Sequence, residues 1–148
     1  MTEPAEPEET SRLRKEIIDT LKRVFDAEPD VLFSYIFGSM AGGMVHFGSD
    51  IDVAVYLSPG GRSYYHRKDE ELRRRLVDEL QMDVDLFLLN VSPLILRRNV
   101  IIEGEKLTVR DAQAKVDFET ATLVDFFEKA PYFDLYHSLQ EEKIRHEP

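Results

Sequence analysis

The sequence predicts an α/β fold in which helices alternate with strands. Three apolar runs of strand length support this prediction, at residues 31–37, 51–57 and 82–89, and they are rich in β-branched, aromatic and other large apolar side chains. Around them lie longer stretches whose apolar residues recur every three or four positions, as in amphipathic helices. This alternation is typical of a sheet that is covered by helices.

The composition predicts a folded protein of the cytoplasm. The chain has 148 residues, 43% of them hydrophobic, and this length suits one compact domain. No apolar stretch approaches the roughly 20 residues of a membrane span, the N-terminus lacks the features of a signal peptide, and there is no cysteine. A net charge of −10 argues against nucleic acid as a direct substrate, because that binding usually needs a basic surface.

The two ends of the chain are predicted to be a tail and a pair of helices. Residues 1–9 hold four glutamates, two prolines and no basic residue, which predicts a disordered acidic tail. At the other end, residues 111–129 and 132–145 predict two helices separated by Pro131. Residues 10–27 predict an amphipathic helix with these apolar positions: Leu13, Ile17, Leu21 and Val24.

The middle of the chain completes the predicted domain. Its further elements are a helix at residues 66–80, a helix at residues 92–102 and a short edge strand at residues 106–109. No linker interrupts the pattern, so we expect one domain over residues 10–148. Its core is expected at about residues 31–104, with the C-terminal helices at about residues 111–146.

Gly38 and Ser39 interrupt the apolar pattern directly after the first predicted strand. Glycine lets a phosphate approach the backbone closely, and a serine hydroxyl can donate to a phosphate oxygen. Residues 41–43 predict a weak helical turn whose amides favour anions. A Gly-Ser pair alone is a common turn, so the prediction of a phosphate site depends on acids further along the chain.

Asp50 and Asp52 come after Ser39 and a spacer of ten residues, and they begin the second predicted strand. Side chains alternate along a strand, so both carboxylates project to the same face. Two ionised carboxylates side by side repel each other unless a cation lies between them. Mg²⁺ prefers such oxygen ligands and commonly adds substrate phosphates to them, which predicts a magnesium and polyphosphate site.

A third carboxylate on the next predicted strand would complete a site for two metal ions. Asp83 and Asp85 have the same parity and compete for this role. We select Asp85 because it lies inside the apolar run, where an acid is costly to bury without a partner. Asp83 lies nearer the start of the strand, where solvent can satisfy it.

The order Gly38-Ser39, ten residues, Asp50-x-Asp52 resembles the signature of the DNA polymerase β-like nucleotidyltransferase superfamily. The short chain is similar to the minimal nucleotidyltransferase branch, the antitoxin partners of HEPN toxins. The resemblance is strongest over residues 31–57 and continues through residues 84–90, where Asp85 matches the third carboxylate.

The resemblance implies a fold, an activity and a partner. The fold is a small mixed sheet flanked by helices, with a helical C-terminal segment. The activity is Mg²⁺-dependent transfer of a nucleotidyl group, usually adenylyl from ATP, and in the antitoxin branch the acceptor is a tyrosine of a HEPN toxin. In the implied site, Asp50, Asp52 and Asp85 are catalytic and hold two Mg²⁺ ions, while Gly38 and Ser39 bind the nucleotide.

Gly42 departs from the family pattern, which usually has arginine at this position. An arginine there would add charge-assisted contacts to phosphate or brace the loop. Its absence leaves a second hypothesis open, an antitoxin that neutralises its toxin by binding alone. A third is nucleotidyl transfer to a small molecule or an RNA end, although no separate acceptor domain is evident in the sequence.

Overall fold

The computed structural model describes residues 7–38 and 51–146. Four strands and four long helices form in this part of the chain. Their order is α1 (Pro7–Asp26), β1 (Val31–Phe37), β2 (Ile51–Leu57), α2 (Arg62–Leu80), β3 (Val84–Leu88), a short 3₁₀ turn (Leu89–Val91), α3 (Leu94–Glu103), β4 (Glu105–Val109) and α4 (Ala112–His146).

The four strands form one mixed sheet in the order β3-β2-β1-β4. β1 pairs antiparallel with both β2 and β4, whereas β2 and β3 are parallel. Parallel neighbours require a crossover connection, which α2 supplies between them. A mixed sheet flanked by helices, with a helical C-terminal segment, confirms the predicted fold class, and β4 lies at an edge as the sequence predicted.

One face of the sheet is covered by α1 and α2. Alternate residues of β2 point into this side, because side chains change face at each position of a strand. The apolar positions predicted for α1 supply the opposite wall of the core, with Leu13 at its margin. The central buried members are Ile17, Leu21, Val24, Ile51, Val53, Val55, Leu72 and Leu76.

The other face of the sheet is covered by α3 and α4. Phe33 lies at its centre and stacks on Tyr56, with ring centroids 4.9 Å apart. The Tyr35 hydroxyl donates to Glu119, whose carboxylate also lies 2.6 Å from Nζ of Lys115. Burial, then the Glu119 carboxylate, raises the pKa of Tyr35, so the phenol stays protonated and fastens α4 to β1.

The prediction of two C-terminal helices was wrong, because α4 runs without a break through Pro131. Proline removes one backbone hydrogen bond from a helix interior, which normally kinks or ends the helix. Here contacts on both sides of the proline hold the helix together. The Phe126 and Phe133 rings stack with centroids 5.9 Å apart, and the Arg98 guanidinium lies 5.0 Å from the Phe126 centroid.

The N-terminal boundary also differs from the prediction. α1 begins at Pro7, so the last three residues of the predicted tail are helical, and residues 1–6 lie outside the described part. Proline suits the first position of a helix, and Glu8 and Glu9 favour its N-terminal dipole. No helix in the described ranges is both long and apolar enough to cross a membrane.

An ion pair joins α2 to the residue before β1. Nζ of Lys68 lies 2.9 Å from Oδ2 of Asp30. The hydrogen bond to Lys68 lowers the pKa of Asp30 below its ordinary value of 3.8, and the same bond raises the pKa of Lys68 above 10.5. The carboxylate's contribution to stability is therefore complete above pH 3.8 and is lost as the pH falls through the lowered pKa. The ammonium's contribution is complete below pH 10.5 and is lost as the pH rises through the raised pKa.

Replacing Lys68 with methionine is expected to lower the free energy of unfolding by at most about 1 kcal/mol at neutral pH, because the pair is partly exposed. The difference from wild type should shrink at a pH below the lowered pKa of Asp30. Urea unfolding at several pH values measures both effects. Lys15→Met removes an exposed lysine from α1 and is the control. An equal difference at all pH values, or an equal cost in the control, would contradict the assignment.

Candidate active site at the Gly38–Asp52 corner

The strand register brings two of the predicted acids together. Asp52 is the direct partner of Phe37 on β1 and of Asp85 on β3. Directly paired residues of neighbouring strands point to the same face of a sheet. The Asp52 and Asp85 side chains therefore stand side by side on the face covered by α3 and α4, with Asp52 half-buried and Asp85 exposed.

Gly38 turns the backbone against the Asp52 carboxylate. Its φ of +71° lies in the left-handed region, which favours glycine. A Cβ atom on Gly38 would lie 2.3 Å from Oδ2 of Asp52, well inside van der Waals contact. Position 38 thus needs a glycine for two reasons, the backbone angle and the space that the carboxylate occupies.

Side chains and backbone bonds hold β3, and with it Asp85, in place. The side-chain amide of Asn90 bonds both backbone groups of Leu57, at 2.9 Å each, and so ties the end of β2 to the turn after β3. On the outer edge of β3, Arg73 donates to the Leu86 carbonyl at 3.1 Å and Ser92 Oγ donates to the Leu88 carbonyl at 2.6 Å. These bonds occupy carbonyl groups of an edge strand that could otherwise pair with the strand of another molecule.

The other predicted site residues divide into two groups. Ser39 and Asp50 lie outside the described residues. Asp83, the rejected competitor, precedes β3, and its backbone carbonyl accepts from the Ile51 amide at 3.2 Å. Gly38, Asp52 and Asp85 are the predicted members that the described structure brings together.

The donor atoms at this corner suit a magnesium ion. Two carboxylates on adjacent strands offer hard oxygen ligands, and the bare backbone at Gly38 leaves the space beside Asp52 free of any Cβ. Within residues 7–38 and 51–146, no group of three or more Asp, Glu or His side chains gathers as a metal site. A carboxylate outside those ranges would have to complete a set of three.

Two aromatic rings beside the acids were not predicted as part of the site. Phe37 is opposite Asp52, and Phe87 lies two residues after Asp85 on the same face; their ring centroids are 5.5 Å apart. Phe87 also lines a cavity of about 890 Å³ that opens along β3 between α2 and α3. Strand parity could have identified Phe87, because it shares the parity of Asp85.

Comparison with known families decides the relationship. The model of the polymerase beta nucleotidyltransferase family matches residues 19–113, which contain all four strands and all of the predicted site residues. The chain belongs to this family. The resemblance predicted from Gly38-Ser39 and Asp50-x-Asp52 is therefore confirmed, and the chain is a nucleotidyltransferase by descent.

One curated relative is similar in sequence. The protein adenylyltransferase MntA of Shewanella oneidensis is 32% identical over 87 residues, which are 59% of this chain and 60% of the relative. The chain thus spans about 60% of the length of the relative that it matches.

Solved structures share the fold. A chain in the crystal structure of a toxin–antitoxin with AMP-PNP is similar with a TM-score of 0.68 and 25% identity, over 83% of this chain and 98% of that one. A chain in a structure of tri-AMPylated Shewanella oneidensis HEPN toxin in complex with MNT antitoxin has a TM-score of 0.61 and 23% identity, over 88% of this chain and 98% of that one. The second likeness establishes a shared fold alone.

Gly38→Ala is expected to reduce the free energy of unfolding by about 2 kcal/mol or more, because strain at positive φ adds to the clash with Asp52. In an Asp52→Ala background the clash disappears, so the same change should cost only about 1 kcal/mol. Denaturant unfolding of the four proteins measures this coupling. Gly61→Ala meets nothing within 4 Å and should stay within about 0.5 kcal/mol of wild type. Equal costs for Gly38→Ala in both backgrounds would show that the glycine does not abut the carboxylate.

Proposed function

We propose that the protein is a Mg²⁺-dependent adenylyltransferase that uses ATP to AMPylate a tyrosine of a partner HEPN-type toxin and so acts as its antitoxin. The observation that carries the proposal is the in-register pairing of Asp52 with Asp85 beside the glycine corner. The similarity to a protein adenylyltransferase and to chains of toxin–antitoxin structures, one with AMP-PNP, supports the donor and the kind of partner.

In the proposed mechanism, Asp50, Asp52 and Asp85 hold two Mg²⁺ ions. When bound, these ions neutralise the triphosphate and favour ionisation of the attacking hydroxyl. Gly38 presents its backbone to the phosphates, and Ser39 donates its hydroxyl to a phosphate oxygen. In the alternative to metal binding, Asp85, which is exposed on the same face as Asp52, accepts the proton of the acceptor hydroxyl.

The proposed transfer forms one phosphorus–oxygen bond and breaks another. The tyrosine oxygen attacks the α-phosphorus of ATP in line with the leaving group, the bond to the β-phosphate oxygen breaks, and pyrophosphate departs. The phenolic proton passes to Asp85 in its role as proton acceptor. Catalysis by this corner consists mainly of positioning and charge stabilisation, because the residues form no covalent intermediate.

The domain division and the location belong to the same proposal. Residues 10–148 are proposed as one nucleotidyltransferase domain, since the matched range includes strands from both ends of the sheet and α4 packs on β1 through Phe118 and Glu119. We place the protein in the cytoplasm, where a chain without cysteine loses nothing to a reducing environment.

The test is transfer of label from [α-³²P]ATP to a purified HEPN-type toxin. Asp52→Asn and Asp85→Asn should each lower the rate by about 100-fold or more, because each removes a negatively charged ligand. Asp83→Asn is the matched control, an exposed acid two residues from Asp85, and should retain transfer within about threefold. Undiminished transfer by Asp85→Asn, or an equal loss in Asp83→Asn, would overturn the assignment.

Gly42 favours a second candidate function, an antitoxin that works by binding alone, because the arginine usual at this position is missing. The two functions differ in what inactivation of the site does to neutralisation. If the Asp52→Asn variant blocks toxin activity as strongly as wild type, binding alone suffices. If neutralisation is lost while the complex still forms, the transfer reaction is required.

A further inference from the structure

The C-terminal part of α4 exposes several large apolar side chains. The helix meets Arg98 of α3 at Phe126 and continues to His146. A helix of this length outside a protein core is marginal in water without packing of an apolar face. Phe127 is 69% exposed beside Phe126, and five further large apolar side chains of residues 124–139 are exposed, by 52% at Val124, 73% at Tyr132, 58% at Leu135, 61% at Tyr136 and 55% at Leu139.

These five side chains lie on one side of the helix. With about 100° of rotation per residue, they fall within an arc of about 120°; we call this set the α4 stripe. Phe126 and Phe133 lie on the opposite side, where they stack on each other and Phe126 meets Arg98. α4 is therefore apolar on two sides, and no described part of the chain covers the stripe.

The charges around the stripe restrict what can cover it. Residues 124–141 contain four acids and a single lysine, and that lysine, Lys129, lies 3.0 Å from Asp125. Glu128 falls inside the arc of the stripe and is exposed. A second copy of the chain, with its net charge of −10, would set acids against acids at this surface.

We infer that the α4 stripe is the docking surface for the partner toxin, which covers it with an apolar groove that also carries lysine or arginine side chains. The partner's identity rests on the proposed function, whereas the location of the surface rests on the exposed stripe and on the acids within its arc, Asp125 and Glu128. Apolar anchors in the centre of such an interface supply most of the affinity. The basic side chains of the groove pair with the acids within the stripe and select against self-association.

Calorimetric titration of the full-length protein with a purified HEPN-type toxin tests this inference. The stripe variant carries Leu135→Asp and Leu139→Asp. Its matched control carries His137→Asp and Gln140→Asp, which add the same charges to exposed positions of the same helix outside the arc of the stripe. We expect the stripe variant to bind about 30-fold or more weakly and the control to remain within about threefold of wild type.

Label transfer separates docking from chemistry. The stripe variant should raise the KM for the toxin by about tenfold or more and leave kcat within about twofold, because the acids at the catalytic corner are unchanged. Circular dichroism of both variants checks that each retains wild-type helix content. If the wild-type protein fails to transfer label but only the stripe variant loses toxin binding, the proposed function is refuted. The inferred docking surface is then still supported.

Three results would overturn the inference. Equal affinities of the stripe variant and wild type would place the toxin elsewhere on the molecule. Equal losses in both variants would show a general effect of added charge on α4. Light scattering that finds a wild-type dimer and a monomeric stripe variant would assign the stripe to a second copy of the chain.

Discussion

The parallel register between β2 and β3 is the constraint on which the candidate site depends. Val53 pairs with Leu86 on the buried face, and this alignment sets Asp52 beside Asp85 on the other. A shift of one residue would turn every side chain of β3 to the opposite face. It would bury Asp85 and expose Leu86, so the hydrophobic core and the pair of acids specify the same register. The side chain of Asn90 forms hydrogen bonds with both backbone groups of Leu57 and further stabilises that alignment.

Much of this arrangement could be predicted from the sequence because the signals are local. Period-two alternation predicted that Asp52 and Val53 lie on opposite faces of β2, and the spacing of Leu21 and Val24 identified the core side of α1. The choice of Asp85 over Asp83 depended on where a strand begins, which sequence patterns locate poorly. The order of the strands in the sheet could not be predicted from local patterns, because the sequence of one strand does not specify which strand lies beside it.

The continuity of α4 shows where local rules fail. Proline is normally a local signal for a helix boundary, and Pro131 fits that rule in one respect. Its nitrogen cannot donate to the carbonyl four residues earlier. Tertiary and side-chain contacts outweigh that loss, through the stacked Phe126 and Phe133 rings and the guanidinium of Arg98. The arginine comes from α3, about 30 residues away in sequence, so no window around the proline contains the information that decides its effect.

In the proposed transfer to a protein acceptor, the sheet corner and α4 have separate tasks. The corner offers two carboxylates, a bare backbone and an aromatic pair, which suit a metal-bound polyphosphate but give a protein acceptor little to bind. Transfer between two bound groups gains most of its rate from positioning, and the binding energy for that can come from surfaces remote from the reacting atoms. An exposed apolar stripe on a helix fastened to the same sheet by Tyr35 and Glu119 can supply such energy without altering the acids. Recognition of the acceptor can therefore change through α4 while the chemistry at Asp52 and Asp85 stays constant.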